Sequence, residues 1–402
     1  MKILVVDKFP ESHLDQLKKL GCDVAYHPSV KAEGLPRLIG GCKILLVRSQ
    51  QVTAETIKAG DQLAVILRAD EGVGITIDVK AASARGVYVA SCGGKNSIAV
   101  AELVFALLLG LDRRIPDSVA ALRAHRWNRK EFSKADGVYG KTLGIVGLGQ
   151  VGCEVIKRAH AFGLHVMGTD ASLNLQKARE LNIEYCPDLD TIFRRADIIT
   201  IHVNLKRDTK KLVSADRIAM MKPNAILINT TCGEVVDQVA LSAALEAKRI
   251  RAGLDVFDPE PGESTADFAD PILDLPNLYG TPHIGASTHQ AQEAIAEEAI
   301  HIVETFVKTG VVLNCINLAT RTPAKWQLIV RHYDRVGVLA CVMDQIRRAN
   351  SNIEEVHNVI FDGAAAACCR IQLDTEPGDE LLAAIKDGNP DIISVESLKI
   401  GA

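Results

Sequence analysis

Three glycines at the spacing G-x-G-x-x-G, Gly147, Gly149 and Gly152, stand between a strand-like run, LGIV, and a helical run, EVIKRAHAFG. In that setting the first glycine permits a tight turn and the second lets the backbone approach a pyrophosphate. The third allows close helix packing, and the helix N-terminus faces the phosphates. Asp170 closes the next apolar run, LHVMGTD, about 20 residues further on. A carboxylate there can accept hydrogen bonds from both ribose hydroxyls, and its charge repels a 2′-phosphate. The residues therefore predict a dinucleotide site that prefers NAD to NADP.

Positioning such a site requires parallel sheets, and the chain carries the pattern for two of them. From residue 2 to about residue 95, strand patterns (KILVV, CDVAYH, KILLVRS, LAVILRA, GVYVAS) alternate with helical ones, which predicts a parallel sheet covered on both faces. A long apolar helix, SIAVAELVFALLLGLDRRI, leads away from it, and a polar connection holding Trp127 follows, where the tryptophan reads equally as a local packing anchor or a subunit contact. From Gly140 to Ala286 the alternation repeats through LGIVGLG, LHVMGTD, IEYC, ADIITIHVN, AILINTT, AGLDVF and LYGTPHIGA. The amphipathic run after it keeps Ile295, Ala299, Ile302, Val303 and Phe306 on one face and is long enough to return to the first domain. LATRTPAKW reads as a linker, and the last stretch has the order βαββαβ, a ferredoxin-like plan. The expected fold class is α/β: a flavodoxin-like domain (1–96 with 287–315), a Rossmann domain (97–286), a linker (316–326) and a ferredoxin-like module (327–402).

Composition narrows the functional classes. A chain of 402 residues with 48% hydrophobic residues can bury two or three cores, which argues against extensive disorder. A net charge of −4 gives no sign of a nucleic-acid or membrane surface, and no apolar run reaches the ~18 residues of a membrane span. The ten cysteines lack metal-ligand spacing, so no metal is expected and they read as reduced thiols of a cytoplasmic protein. Met1 runs straight into the strand KILVVD, which leaves no room for a signal peptide.

The motifs VRSQQVTAETI, LRADEG, GKNSIAVAEL, GLGQVG, INTTCGEVVD, LDVFDPEP, TPHIGAST and RHYDRVGVLA occur in one order along nearly the whole chain. In them the sequence resembles the D-2-hydroxyacid dehydrogenase family, and within it the branch that acts on D-3-phosphoglycerate and ends in an ACT domain. The resemblance implies NAD-dependent oxidation of D-3-phosphoglycerate to 3-phosphohydroxypyruvate, the entry step of serine biosynthesis, by a homodimer or homotetramer. It places the acid–base histidine at His283 and its carboxylate partner at Glu260. Loss of hydride from C2 makes the hydroxyl proton acidic, and an imidazole that titrates near neutrality can take it, held in one tautomer by the carboxylate. Asp255 matches the aspartate that meets the nicotinamide carboxamide. Gln150, Val151, Val203, Thr230, Thr231, Ile284, Gly285 and Ala286 match further cofactor contacts. Arg48 and Arg68 match residues that grip the distal phosphate of the substrate, with Asn96 on a neighbouring loop. His332, Asp334 and Asn352 match the polar residues of an L-serine effector site.

The chain departs from the family pattern twice. Where the family reads like N-T-x-R-G and the arginine binds the substrate carboxylate, this chain has Cys232, and a thiol offers neither the charge nor the paired donors of a guanidinium. After Arg68 the family loop resembles R-A-G-x-G, whereas Asp70 and Glu71 stand here and repel an anionic substrate. Three readings follow: a phosphoglycerate-type dehydrogenase with weakened substrate binding, a catalytically weak NAD(H)-binding regulatory protein, or a dehydrogenase for another 2-hydroxy or 2-keto acid.

Overall fold

A computed structural model describes residues 1–69, 76–261, 265–319 and 322–400. The chain divides into two compact units, Met1–Asn317 and Leu318–Ala402. Asp70 and Glu71 lie outside the described residues.

The first unit holds two parallel sheets. The first contains β1 (Lys2–Val6), β2 (Asp23–His27), β3 (Ile44–Val47), β4 (Val65–Arg68) and β5 (Tyr88–Ser91) in the order β2-β1-β3-β4-β5. This is the flavodoxin-like order, with the sheet reversing direction between β1 and β3. Its central strands ILLV and VILR are buried at every position, as a sheet covered on both faces requires. The second sheet contains β6 (Thr142–Val146), β7 (His165–Thr169), β8 (Glu184–Tyr185), β9 (Ile198–Ile201), β10 (Ile226–Asn229), β11 (Arg251–Leu254) and β12 (Leu278–Gly280). Its order, β12-β11-β10-β9-β6-β7-β8, is the Rossmann order with one added edge strand, and it reverses between β6 and β9.

Three helices tie these sheets to the chemistry. Helix α1 (Ser97–Arg113) packs Ala101, Val104, Leu107, Leu108 and Leu111 into a core shared with Leu143, Ile145 and Val155, so the long apolar run covers the second sheet. The run was expected to continue through Ile115, but it breaks at Arg114, whose φ is +52°, because Pro116 has no N–H with which to extend the same ladder. Helix α2 (Gln150–Ala161) begins directly after the glycine motif. Helix α3 (His289–Thr309) is capped by the Thr288 side chain and buries Ile295, Ala299, Ile302 and Val303 against Ile3, Val5, Leu14 and Leu17 of the first sheet's core, with Phe306 half-buried.

The second unit carries β13 (Trp326–Tyr333), helix α4 (Val338–Arg348), β14 (Ile353–Ile360), β15 (Ala366–Leu373), helix α5 (Asp379–Gly388) and β16 (Ile392–Lys399). The strands pair antiparallel in the order β14-β15-β13-β16, the ferredoxin-like arrangement. Leu328, Val330, Val342, Ile346, Cys369, Ile371 and Ile385 form a core of its own. All ten cysteines of the chain are free thiols, and among the described residues no helix is long and apolar enough to cross a membrane.

Candidate active site

The glycine motif sits at the reversal point of the second sheet. Gly147 has φ +96°, and a Cβ there would stand 2.5 Å from the His202 carbonyl oxygen, so only glycine lets β6 turn beside the end of β9. A Cβ on Gly152 would collide with the Gly147 carbonyl, which is the close approach of helix to strand that the spacing implies. At Gly149, the N-cap of α2, a Cβ would meet nothing within 4 Å, and the helix start carries no side-chain cap. Open space over uncapped helix N–H groups can hold a pyrophosphate. Asp170 follows β7 and accepts from the Leu148 N–H (2.9 Å) through one oxygen, and from the Ser172 N–H and hydroxyl (both 2.7 Å) through the other. Burial opposes its ionisation, but these hydrogen bonds outweigh that and hold its carboxyl below the ordinary value. A carboxylate has about four acceptor positions, so Asp170 can still receive ribose hydroxyls.

Around this loop stand the other residues expected at the cofactor. The Thr231 hydroxyl donates to the Val203 carbonyl (2.8 Å), joining the ends of β9 and β10. Thr230 is buried, and among the described residues its hydroxyl has no hydrogen-bond partner. Val151 is half-buried on α2, and the Gln150 side chain occupies the space that a Cβ on Gly94 would need, so the cofactor loop touches the loop leading to Asn96. His202, which the motif reading did not single out, bonds through Nε2 with the Thr200 hydroxyl at 2.9 Å. Burial pushes its imidazole down to about 3, which keeps it neutral beside the glycine turn.

The two residues matched to an acid–base pair, His283 and Glu260, are brought together by the loop after β12. His283 Nδ1 lies 2.8 Å from Glu260 Oε2, and the other oxygen of Glu260 accepts from the Phe257 N–H at 2.9 Å. Burial opposes ionisation of Glu260, yet the bonds from His283 and Phe257 hold its carboxyl below the ordinary value. His283 has φ +52° and its side chain is 63% exposed, open enough for a substrate to reach the ring. Asp255, 1% exposed, organises this loop. One of its oxygens accepts from the Thr281 hydroxyl (2.5 Å) and the Ile284 N–H (2.9 Å), the other from the Gly285 N–H (2.8 Å). The contact that the structure gives Asp255 is therefore with the residues flanking His283, and Ile284, Gly285 and the half-buried Ala286 continue from there.

Cys232 lies in the turn after β10, next to this pair. Its Sγ donates to Glu234 Oε2 at 3.1 Å. Burial, that hydrogen bond and the charges of Glu234, Glu260 and Asp258 push the thiol up to about 12, so it stays protonated at neutral pH. The turn is pressed against the Glu260 segment, since a Cβ on Gly233 would collide with the Phe257 carbonyl. Glu234, within the motif that carries Cys232, is the residue that spacing alone did not bring out.

In the first sheet Arg68 ends β4 and Arg48 directly follows β3, where Val47 pairs with Arg68, so the two cations stand on adjacent strand ends. Asp7, at the end of β1 with φ +66°, accepts from the N–H groups of Arg48 and Ser49 (both 2.9 Å) and from the Ser49 hydroxyl (2.8 Å). Asp7 thus shapes the segment that carries Arg48. Asn96 is 6% exposed at the N-terminus of α1, and among the described residues its side-chain oxygen has no hydrogen-bond partner. Lys95, a neighbouring cation, is paired with Glu298 at 2.9 Å.

The three residues matched to an effector site do not meet within one module. His332 is 1% exposed and its Nδ1 bonds with the Tyr333 carbonyl at 2.8 Å, while Asp334 is exposed just beyond β13. Asn352 precedes β14, whose first residue pairs with Leu373, whereas His332 pairs with Ala367. Those two pairings lie six positions apart along β15, roughly 20 Å at strand spacing.

Residues 105–285 match the model of the D-isomer specific 2-hydroxyacid dehydrogenase NAD binding domain, and the cofactor is NAD. The chain is similar to D-3-phosphoglycerate dehydrogenase of Methanocaldococcus jannaschii, 38% identical over 320 residues that make up 79% of this chain and 60% of that protein. It spans 60% of the length of that relative and 64% of a second of the same name from Archaeoglobus fulgidus. It is also similar to the hydroxypyruvate reductase of Thermotoga maritima, 38% identical over 274 residues that make up 67% of this chain and 87% of that one. Among solved structures, the TT0316 protein of Thermus thermophilus has a TM-score of 0.68 at 32% identity, over 79% of this chain and all of that one. With a family model on its second sheet and a relative matched over 87% of its length, the chain belongs to the D-isomer specific 2-hydroxyacid dehydrogenase family.

Proposed function

We propose that this protein interconverts a phosphorylated D-2-hydroxy acid and its 2-oxo acid with NAD, and that D-3-phosphoglycerate and 3-phosphohydroxypyruvate are a turnover pair, handled slowly. The observation that carries this reading is the 2.8 Å contact between His283 Nδ1 and Glu260, made by an imidazole whose side chain is open to solvent. Bound NAD supplies the hydride acceptor. As the C2 hydride leaves, His283 Nε2 takes the hydroxyl proton, and Glu260 stabilises the imidazolium that results. The start of α2 with Gly149, Gln150, Val151 and Gly152 holds the pyrophosphate, and Asp170 holds the ribose. Val203, Thr230, Thr231, Asp255, Ile284, Gly285 and Ala286 surround the nicotinamide end. Arg48 and Arg68 take the distal phosphate, with Asn96 beside them. On this reading residues 1–96 with 287–315 form the substrate domain, 97–286 the cofactor domain, and 327–402 an ACT-like module open to L-serine. Turnover is slow because Cys232 gives the substrate carboxylate no cation.

The test is single-turnover oxidation of NADH with 3-phosphohydroxypyruvate. His283→Ala is expected to lower the rate roughly 100- to 10,000-fold while NADH still binds. Glu260→Gln is expected to lower the maximum rate and to move the acid limb of kcat/KM for oxidation to lower pH, because the imidazolium loses its ion partner while the neutral base does not. NADH binding without consumption by the unmodified protein at any pH would leave an NAD(H)-binding regulatory protein in place of the dehydrogenase.

A further inference from the structure

Three carboxylates bear on Cys232. Glu234 Oε2 accepts from the Cys232 thiol, 3.1 Å from its Sγ, and the charges of Glu260 and Asp258 also act on this sulfur. A series of contacts makes this turn part of the reacting site. Gly233 is pressed on the Phe257 carbonyl, the Phe257 N–H donates to Glu260 at 2.9 Å, and Glu260 meets His283 at 2.8 Å. The groups bonded to the reacting carbon lie within a bond or two of the atom that His283 serves. A carboxylate among them that faces this turn meets the like charge of Glu234, an arrangement that costs binding. An uncharged group with an N–H or O–H instead gives Glu234 a donor.

We infer that Glu234 decides which substrates this site accepts, disfavouring a carboxylate next to the reacting carbon and favouring a neutral hydrogen-bond donor there, such as a hydroxymethyl or a carboxamide. The inference rests on the proposed reading that hydride transfer takes place beside His283. Reduction of such a ketone balances as for the acid: hydride passes from NADH to C2, and the proton passes from His283 Nε2 to the new alkoxide oxygen. The slow handling of 3-phosphohydroxypyruvate proposed above then follows from the charge that Glu234 sets against its carboxylate.

Two ketones isolate the effect. Dihydroxyacetone phosphate and 3-phosphohydroxypyruvate share the ketone and the phosphate and differ at C1 alone, hydroxymethyl against carboxylate. Calorimetry on the NAD-loaded full chain, whose oxidised cofactor cannot reduce either ketone, is expected to show dihydroxyacetone phosphate binding about tenfold or more tighter, and Glu234→Gln, which removes the charge and keeps an acceptor, is expected to erase most of that ratio by improving the carboxylate. In steady state the same variant lowers KM for 3-phosphohydroxypyruvate with kcat little changed, which a merely structural role for Glu234 would not produce. Tighter binding of 3-phosphohydroxypyruvate by the unmodified protein overturns the inference without recourse to a variant, and so does a ratio that Glu234→Gln leaves unchanged. The binding arm reads the inference and NADH consumption reads the dehydrogenase reading, so failure of either one is seen separately.

Discussion

At the scale of single residues, we propose that the cofactor preference turns on Asp170. Its oxygens already accept from Leu148 and Ser172, so the carboxylate is held rigidly at the end of β7 and stays charged well into acid. A hydrogen bond to a charged group contributes about 1.5–3 kcal/mol, which corresponds to roughly 10- to 150-fold in affinity. Asp170→Ala is therefore expected to weaken NADH by about that factor and to bring NADPH closer to it, read by fluorescence titration with both cofactors. Equal affinities in the unmodified protein would show that Asp170 does not face the ribose. Glu234 belongs to this scale as well: on the inference drawn above, its carboxylate beside the Cys232 thiol sets a negative charge where the family resemblance implies an arginine.

At the scale of elements, function depends on the ends of parallel strands. β3 and β4 place Arg48 and Arg68 side by side, but the backbone after β3 takes its course because Asp7 on β1 gathers the Arg48 and Ser49 N–H groups. Burial opposes ionisation of Asp7, and hydrogen bonds from Ser49, Arg48 and Gln50 outweigh it, so its carboxyl lies below the ordinary value in the folded protein. A folded-state value below the unfolded one makes its stabilisation complete above the ordinary carboxylate range and lost as pH falls through the folded value. Asp7→Asn is expected to cost about 1–3 kcal/mol at pH 7. The gap from the unmodified protein should narrow as pH falls below about 4. Urea unfolding at the two pH values measures this, and a gap that stays constant with pH would mean the carboxylate charge is not what holds the segment.

At the scale of the whole molecule, the break between Asn317 and Leu318 separates a unit with both parallel sheets from one with its own antiparallel sheet and core. A chain ending at Asn317 is expected to fold and to keep NADH affinity and basal rate, while any heat with millimolar L-serine is confined to the full chain. Loss of NADH binding in the shortened chain would show that the last unit supports the cofactor fold. Much of this organisation was readable in the sequence, because alternation of apolar runs is a local property: it gave two doubly wound sheets, the βαββαβ module and the helix whose Ile295, Ala299, Ile302 and Val303 reach the first core. The glycine turn was legible for the same reason, since backbone sterics within six residues demand those glycines. Proximity between distant loops has no such local signature. Trp127, read equally as a packing anchor or a subunit contact, is 84% exposed, too open for a packing anchor among the described residues. Asp255 proved to pin the His283 loop, Asp7 the Arg48 segment, and His332 and Asn352 fell at opposite ends of a sheet, each decided by which strand ends the fold brings together. The sequence by itself determined the elements, their order and the types of group available for hydride chemistry. The tertiary structure decided that Glu234 and Glu260 both bear on Cys232, because only folded loops set the distances over which charges act.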